Sequence, residues 1–225
     1  MRIIFVRHGQ PNFELDCLTE IGRRQAQDAA LRLEKEGIEA VYSSPFGRAK
    51  ETAQATAGLL GLPVQVLPFM HELYWGNNEG KPVFSHGHPW ETANELMRRD
   101  VDISLPGWET HPLYDNNVVV GEVDRVARDT DAWMLTLGYE RAGHYYRCVN
   151  AAHPGTVALF SHGGSSVAML SRLMDLPFPY LCAVMHEPFA SISVLRFSDK
   201  VGQAALPCLE LANDGRHVPY GQEAP

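Results

Sequence analysis

The 225-residue chain is poor in cysteine, has no long apolar run and carries no surplus of basic charge, and each shortage excludes something. Its four cysteines (Cys17, Cys148, Cys182 and Cys208) are scattered, with no C-x-x-C pair. That spacing speaks against a disulfide framework or a zinc ribbon and for free thiols in a reducing cytoplasm. The N-terminal apolar run, Ile3-Ile4-Phe5-Val6, is too short for a signal-peptide core or a membrane span, and no later stretch is long and apolar enough to cross a bilayer. Acidic side chains outnumber basic ones by 27 to 19, for a net charge of −8. This balance argues against general binding to nucleic acid or to an anionic membrane. Internal repeats and low-complexity segments are also lacking.

What is present has the profile of a globular protein, with 45% hydrophobic and 20% charged residues. The length suits one α/β domain over residues 1–225. Arg2–Val6 reads as a buried strand that runs into Arg7-His8-Gly9. Thr19 is placed to cap a helix over Glu20–Glu36, with Ile21, Ala29, Leu31 and Leu33 as its apolar face and Gly37 as its stop. A strand over Ala40–Tyr42, a helix from about Phe46 to Leu60 and a strand over Val64–Leu67 follow. This β-α-β-α-β rhythm predicts a three-layer α/β/α sandwich on a mostly parallel, doubly wound sheet, whose ligands bind at the strands' carboxyl ends.

From Gly80 to about Leu113 the periodicity weakens, with a short helix near Glu91–Arg99, and Val119–Leu137 reads as helical again. Thr156–Ser161 is a clear buried strand ending at His162-Gly163-Gly164, and a helix over Ser165–Met174 follows. Ser191–Phe197 is a further strand, the tail from Leu206 adds an edge strand, and the last ten residues are expected to be mobile.

Two strands therefore end in His-Gly, at His8 and at His162. A glycine after each histidine allows a sharp turn and a close ligand approach, and a helix N-terminus behind the second favours an anion. Either motif alone is a weak signal, and the two together at strand ends are far more specific.

The matching segments are Arg7-His8-Gly9-Gln10, Leu18–Ala26, Ser43-Ser44-Pro45-Phe46-Gly47-Arg48 through Ala53, Glu72 with Trp75-Gly76 and Glu79-Gly80, and Ser161-His162-Gly163-Gly164. In order and spacing they resemble the histidine phosphatase superfamily, also called the phosphoglycerate mutase-like family. The resemblance spans residues 1–80 and 155–197, and it implies that the variable segment 81–150 forms a cap over the pocket. It implies that His8 is a nucleophile that becomes phosphohistidine, that Arg7, Arg48 and His162 hold the phosphoryl group, and that Glu72 is the proton donor and later the base. Gln10, Asn12, Thr19, Tyr74 and Gly163 are the remaining candidates for substrate contact.

Elementary chemistry points the same way. An attacking imidazole must be neutral, and nearby arginines disfavour its protonated form while offsetting the charge of a phosphoryl group. An alkoxide is a poor leaving group, so a carboxylic acid is needed beside the ester oxygen.

The chain departs from the family pattern at Gln10-Pro11-Asn12-Phe13-Glu14, where Pro11 removes an N–H donor and Glu14 stands in place of a phosphate-contacting Asn, with Asn12 as its substitute. Glu79 is the alternative acid. His86, His88, Glu109 and His111 match no metal-ligand spacing and read as surface or cap histidines and acid. Arg98-Arg99 reads as a solvated helix face, and Glu14 and Asp16 as ordinary loop acids. Among the aromatics, Trp75 and Tyr74 are assigned to a pocket rim and the others to the core.

The expected protein is a cytoplasmic, metal- and cofactor-independent phosphomonoesterase for a small-molecule phosphate ester, with a homodimer left open. A phosphoglycerate-type mutase is the alternative within the same chemistry, and a non-catalytic phospho-ligand binder the alternative outside it.

Overall fold

The computed structural model describes residues 1–218. Along the chain run β1 (Arg2–Arg7), a small hairpin of β2 (Pro11–Asn12) and β3 (Cys17–Leu18), α1 (Glu20–Leu33), β4 (Ala40–Ser43), α2 (Gly47–Leu60) and β5 (Val64–Val66). Then come α3 (Pro89–Arg98), α4 (Val119–Thr136), a hairpin of β6 (Tyr139–Ala142) and β7 (Tyr145–Cys148), β8 (Thr156–Ser161) and α5 (Gly163–Met174). The order ends with α6 (Phe178–Val184), β9 (Ile192–Arg196), β10 (Ala204–Ala205) and β11 (Cys208–Asp214).

The central sheet has the order β11-β9-β1-β8-β4-β5. Its β1, β8, β4 and β5 are parallel, whereas β9 and β11 close one side antiparallel. The inner strands are apolar throughout because both faces are covered. Alternation along each strand sorts their side chains. Ile4, Val6, Ala158 and Phe160 pack against Ala29 and Leu33 of α1 and Ala53 and Ala57 of α2. Ile3, Phe5, Val157 and Leu159 belong to the core shared with α4, α5 and α6. This is the three-layer arrangement the sequence pattern predicts. Among the described residues no helix is long and apolar enough to cross a membrane.

Several details differ from expectation. Ile21 and Leu31 of α1 are 41% and 62% exposed, and the buried stripe is Gly22, Gln25, Ala26, Ala29, Ala30 and Leu33. Backbone approach, not apolarity, sets that face: a Cβ on Gly22 would stand 2.1 Å from the Gln10 carbonyl oxygen, and one on Gly9 2.4 Å from that of Gly22. Gly9 is thus required by packing against α1. Gly22→Ala is accordingly expected to destabilise the fold by about 1–3 kcal/mol, as overpacking does. A urea midpoint equal to wild type would show that the contact gives way freely.

The segment 81–150 is also more than a cap. Its α4 belongs to the sandwich, with Val126 and Met134 in the same core as α5 and Trp133 edge-on to Tyr42 of β4 at 5.3 Å. Its β6–β7 hairpin pairs with β10 in a second small sheet, which the sequence pattern did not reveal. The expected strand Val64–Leu67 is present as β5, half-exposed because among the described residues no strand flanks it on its outer side. In the tail, Arg216–Val218 is tied down: the His217 ring Nε2 contacts the Ala190 carbonyl at 2.9 Å and Val218 is buried. The rest of the tail expected to be mobile, 219–225, lies outside the described residues.

Candidate active site

The register between β1 and β8 creates the site. Arg7 is paired with Ser161, so the next residue on each parallel strand is a histidine. The His8 and His162 rings meet edge to face with centroids 5.1 Å apart. The His8 amide donates to the Ser161 carbonyl at 2.9 Å, and the His8 carbonyl accepts from Ala190 at 3.2 Å, which pins the residue between β8 and β9. On the adjoining strand β4, Ser43 pairs with Phe160, and this brings Ser44 beside His162.

His8 is buried, and its Nδ1 lies 2.7 Å from the Gly9 carbonyl oxygen. A carbonyl only accepts, so Nδ1 carries the hydrogen and Nε2 carries the lone pair. Burial first, then the Arg7 and Arg48 charges, push the imidazole from 6.5 down to about 3. The ring is neutral at physiological pH.

His162 caps α5, and its Nε2 is 2.7 Å from Ser44 Oγ. That hydroxyl accepts the Phe46 amide at 3.2 Å. The network is complete when Ser44 donates to Nε2, which makes Nδ1–H a donor, and this nitrogen is buried without a protein partner. Burial, with the neighbouring His8, Arg48 and Arg7, holds His162 well below the usual histidine range.

Both depressed histidines have a thermodynamic consequence. The unfolded chain takes up protons near pH 6.5 that the native sites refuse, so stability is full above that pH. For His8 it is lost as pH falls toward about 3, by up to about 1.4 kcal/mol per pH unit, and His162 acts in the same direction. Melting temperature should fall over this window with a shallower slope in His8→Asn, and an identical slope would contradict the assignment.

The two arginines reach the site differently. Arg7 is held from behind by a hydrogen bond to the Glu187 carbonyl, and its guanidinium lies 4.4 Å over the Phe189 ring. Arg48, on the first turn of α2, is paired with Asp16 at 2.6 Å and lies 4.8 Å over Phe46. Nε of each arginine is buried with no partner among the described residues.

Asp16 is not the ordinary loop acid the sequence suggests. Its second oxygen accepts the Gly47 amide at 2.6 Å, so one carboxylate both caps α2 and aims Arg48. A charge there suits the positive end of a helix.

Glu72 lies at the start of α5. Its Oε1 accepts from Leu73 at 2.8 Å and Ser165 at 2.9 Å, and its Oε2 accepts from Gly164 at 3.3 Å. Burial raises its pKa above the usual range despite those three amides and Arg7, which work the other way. A Cβ on Gly164 would stand 2.6 Å from Glu72 Oε1, so this glycine makes the approach possible. At Gly163 a Cβ would meet only ordinary contacts, the nearest being Arg7 and Trp90 at 3.8 Å.

The other candidates scatter. Thr19 is committed as the N-cap of α1, accepting from Gly22 at 3.0 Å and donating to Gln10 Oε1 at 2.8 Å. That bond also occupies the Gln10 side chain, and the Asn12 side-chain oxygen accepts the Leu15 amide at 3.1 Å within its own loop. Tyr74 is exposed and stacks near His71 at 5.2 Å. Glu79 is exposed and pairs with Lys81, in contrast to the buried histidines. Among the described residues no cluster of three or more His, Cys, Asp or Glu gathers. His88 lies between Trp75 and Trp90, and His111 Nδ1 accepts the Leu113 amide.

Sequence reasoning missed Glu187 entirely. Its carboxyl is buried beside Arg7 and Glu72 with Oε2 unpartnered, and burial pushes it up to about 8. Nothing local in His186-Glu187-Pro188 signals this. Trp90, read as core, borders the site at Gly163.

Comparison with known proteins agrees with this geometry. Residues 3–113 match the Histidine phosphatase superfamily (branch 1). A probable phosphoglycerate mutase GpmB of Yersinia pestis (strain Pestoides F) is 34% identical over 187 residues, 79% of this chain and 76% of that protein. A probable GpmB of Yersinia enterocolitica is 25% identical over 227 residues, 97% of this chain and 95% of that protein. Among solved structures, a mycobacterial glucosyl-3-phosphoglycerate phosphatase in complex with VO3 superposes with a TM-score of 0.62 at 22% identity, over 94% of this chain and 98% of that one. A phosphoserine phosphatase of Entamoeba histolytica in complex with 3-phosphoglyceric acid does so with 0.62 at 21%, over 96% and 98%. At such identity these structures speak for the fold alone. With the Yersinia pestis relative covering most of both chains, and with the two strand-end histidines at its centre, this chain belongs to the histidine phosphatase superfamily.

Proposed function

We propose that the chain is a phosphomonoesterase working through a phosphohistidine at His8. The observation that carries this reading is the set of buried donors without partners among the described residues, Arg7 Nε, Arg48 Nε and His162 Nδ1, beside a neutral imidazole whose Nε2 bears the lone pair. Buried polar groups are nearly always satisfied, so donors left open around one nucleophile suit a phosphoryl group.

In the first step His8 Nε2 attacks phosphorus, the N–P bond forms, the ester P–O bond breaks, and Glu72 passes its proton to the leaving oxygen. The arginines and His162 offset charge on the equatorial oxygens. In the second step water attacks phosphorus, the N–P bond breaks, and Glu72 takes the water proton, which restores the acid and releases inorganic phosphate. Asp16 and Ser44 act as positioning residues for Arg48 and His162. The substrate is a small-molecule phosphate ester handled by a single domain. The reducing cytoplasm is the compartment that suits its four unpaired thiols.

Likeness to the Yersinia proteins favours a mutase as the second reading. Rapid quench during turnover of radiolabelled p-nitrophenyl phosphate should trap an acid-labile, base-stable phosphoprotein. Turnover without label would overturn the mechanism. With 3-phosphoglycerate and its bisphosphorylated activator the phosphatase reading expects free phosphate, and the isomeric phosphoglycerate would establish a mutase.

A further inference from the structure

Two rows of rings lead outward from the phosphoryl-binding side chains. One starts at His162, passes to Phe46 at 5.3 Å, then to His71 at 6.2 Å and to Tyr74 at 5.2 Å. The other starts beside Arg7 and Gly163 at Trp90, then passes to His88 at 5.7 Å and to Trp75 at 5.4 Å. The rows end on consecutive residues, two and three positions after Glu72. Joined at Tyr74–Trp75, the two rows make one arc of rings, close in sequence to the carboxyl that would protonate the leaving oxygen.

Core packing does not account for the outer end of this arc. Tyr74 is 58% and Trp75 41% exposed, whereas Trp133 is buried on Tyr42 and Trp108 packs on Tyr114 and Phe178. Charge is equally informative. Between Glu72 and Arg125 each Lys and Arg is paired with a carboxylate: Lys81 with Glu79, Arg98 and Arg99 with Glu95, and Arg125 with Glu122. Arg7 and Arg48, the latter also paired with Asp16, each keep a buried Nε with no partner among the described residues, and the phosphoryl group uses both. A second anionic group on the substrate would meet ring faces, whose negative potential repels it.

We infer that the alcohol half of the substrate is a flat, uncharged ring system, bound between the Phe46–His71–Tyr74 and Trp90–His88–Trp75 walls, and not a carboxylated or doubly phosphorylated chain. This rests on the phosphomonoesterase reading for its chemistry, and the ring-binding site itself can be tested without turnover.

Two non-hydrolysable phosphonates separate the cases, benzylphosphonate and 3-phosphonopropionate, with binding measured calorimetrically on the full chain. Benzylphosphonate is expected to bind at least about tenfold more tightly, as one or two well-placed ring contacts allow. Trp75→Ala and Tyr74→Ala should each shrink that ratio by about 3- to 10-fold, and both side chains are exposed enough to leave folding intact. Equal binding, tighter binding of the carboxylated compound, or a ratio unmoved by both substitutions would overturn the inference.

Hydrolysis is read separately with benzyl phosphate against propyl phosphate, both of which expel an alkoxide, so that leaving-group strength does not mimic ring recognition. Cleavage of both at equal kcat/KM would sink the ring site and leave the phosphatase. Selective binding of the benzyl compound without cleavage of either ester would sink the phosphatase and leave the ring site.

Discussion

Replacing His8 by alanine is expected to lower phosphate release at least about 10⁴-fold, the scale on which loss of a nucleophile disables covalent catalysts. The structure offers no substitute nucleophile. His162 is the other ring at the site, and its Nε2 is engaged by Ser44 while Nδ1 carries the hydrogen. Folding should survive, because among the described residues the only side-chain hydrogen bond of His8 runs to the carbonyl of its own neighbour. Circular dichroism and retained binding of orthovanadate would show that the variant is intact, and the trapped phosphoprotein should vanish. A loss of less than about tenfold would mean that the phosphoryl group never resides on His8.

Glu72→Gln is expected to separate substrates by leaving group. For alkyl phosphates, which need a proton as the P–O bond breaks, the rate should fall about 10²- to 10⁴-fold. For p-nitrophenyl phosphate, whose phenolate leaves unassisted, the loss should be much smaller. The substitution is sterically mild. The glutamine oxygen can keep the Leu73 and Ser165 amides, and only the longer Gly164 bond at 3.3 Å faces the new NH₂ group.

The pH profile should change with it. Burial raises Glu72, so its acid form persists beyond the ordinary carboxylic range, and alkyl phosphatase activity falls as pH rises through that raised value. In the glutamine variant this alkaline limb should disappear. An equal loss on both classes of ester, with the limb unchanged, would assign the proton to another group. Glu187 is then the candidate, since it lies buried beside Arg7 and Glu72 and is pushed up to about 8.

Much of the site was legible because its main residues follow strands. A short apolar run ending in Arg-His-Gly or Ser-His-Gly announces a side chain at the carboxyl edge of a covered sheet, and local pattern suffices for that. The buried side of α1 was less legible, since the apolar stripe drawn through Ile21 and Leu31 lost to the close contact of Gly22 with Gln10. Local hydrophobicity is a weak guide where two backbones must touch. Asp16 illustrates the same limit: as a loop acid it has no signature, and its importance comes from Gly47 and Arg48, about thirty residues away.

The sequence by itself determined the element order of the sandwich, the identity of the two strand-end histidines and the lack of a basic surplus. Each of these is a property of composition or of a short run. Only the tertiary structure decided which nitrogens are free and which carboxyls are buried. It also decided that Trp90 and Glu187 join the site and that α4 belongs to the sandwich. The reason is physical: the β1–β8 register joins residues about 150 positions apart, and desolvation depends on everything packed around a group. Neither is written in the spacing of neighbouring residues.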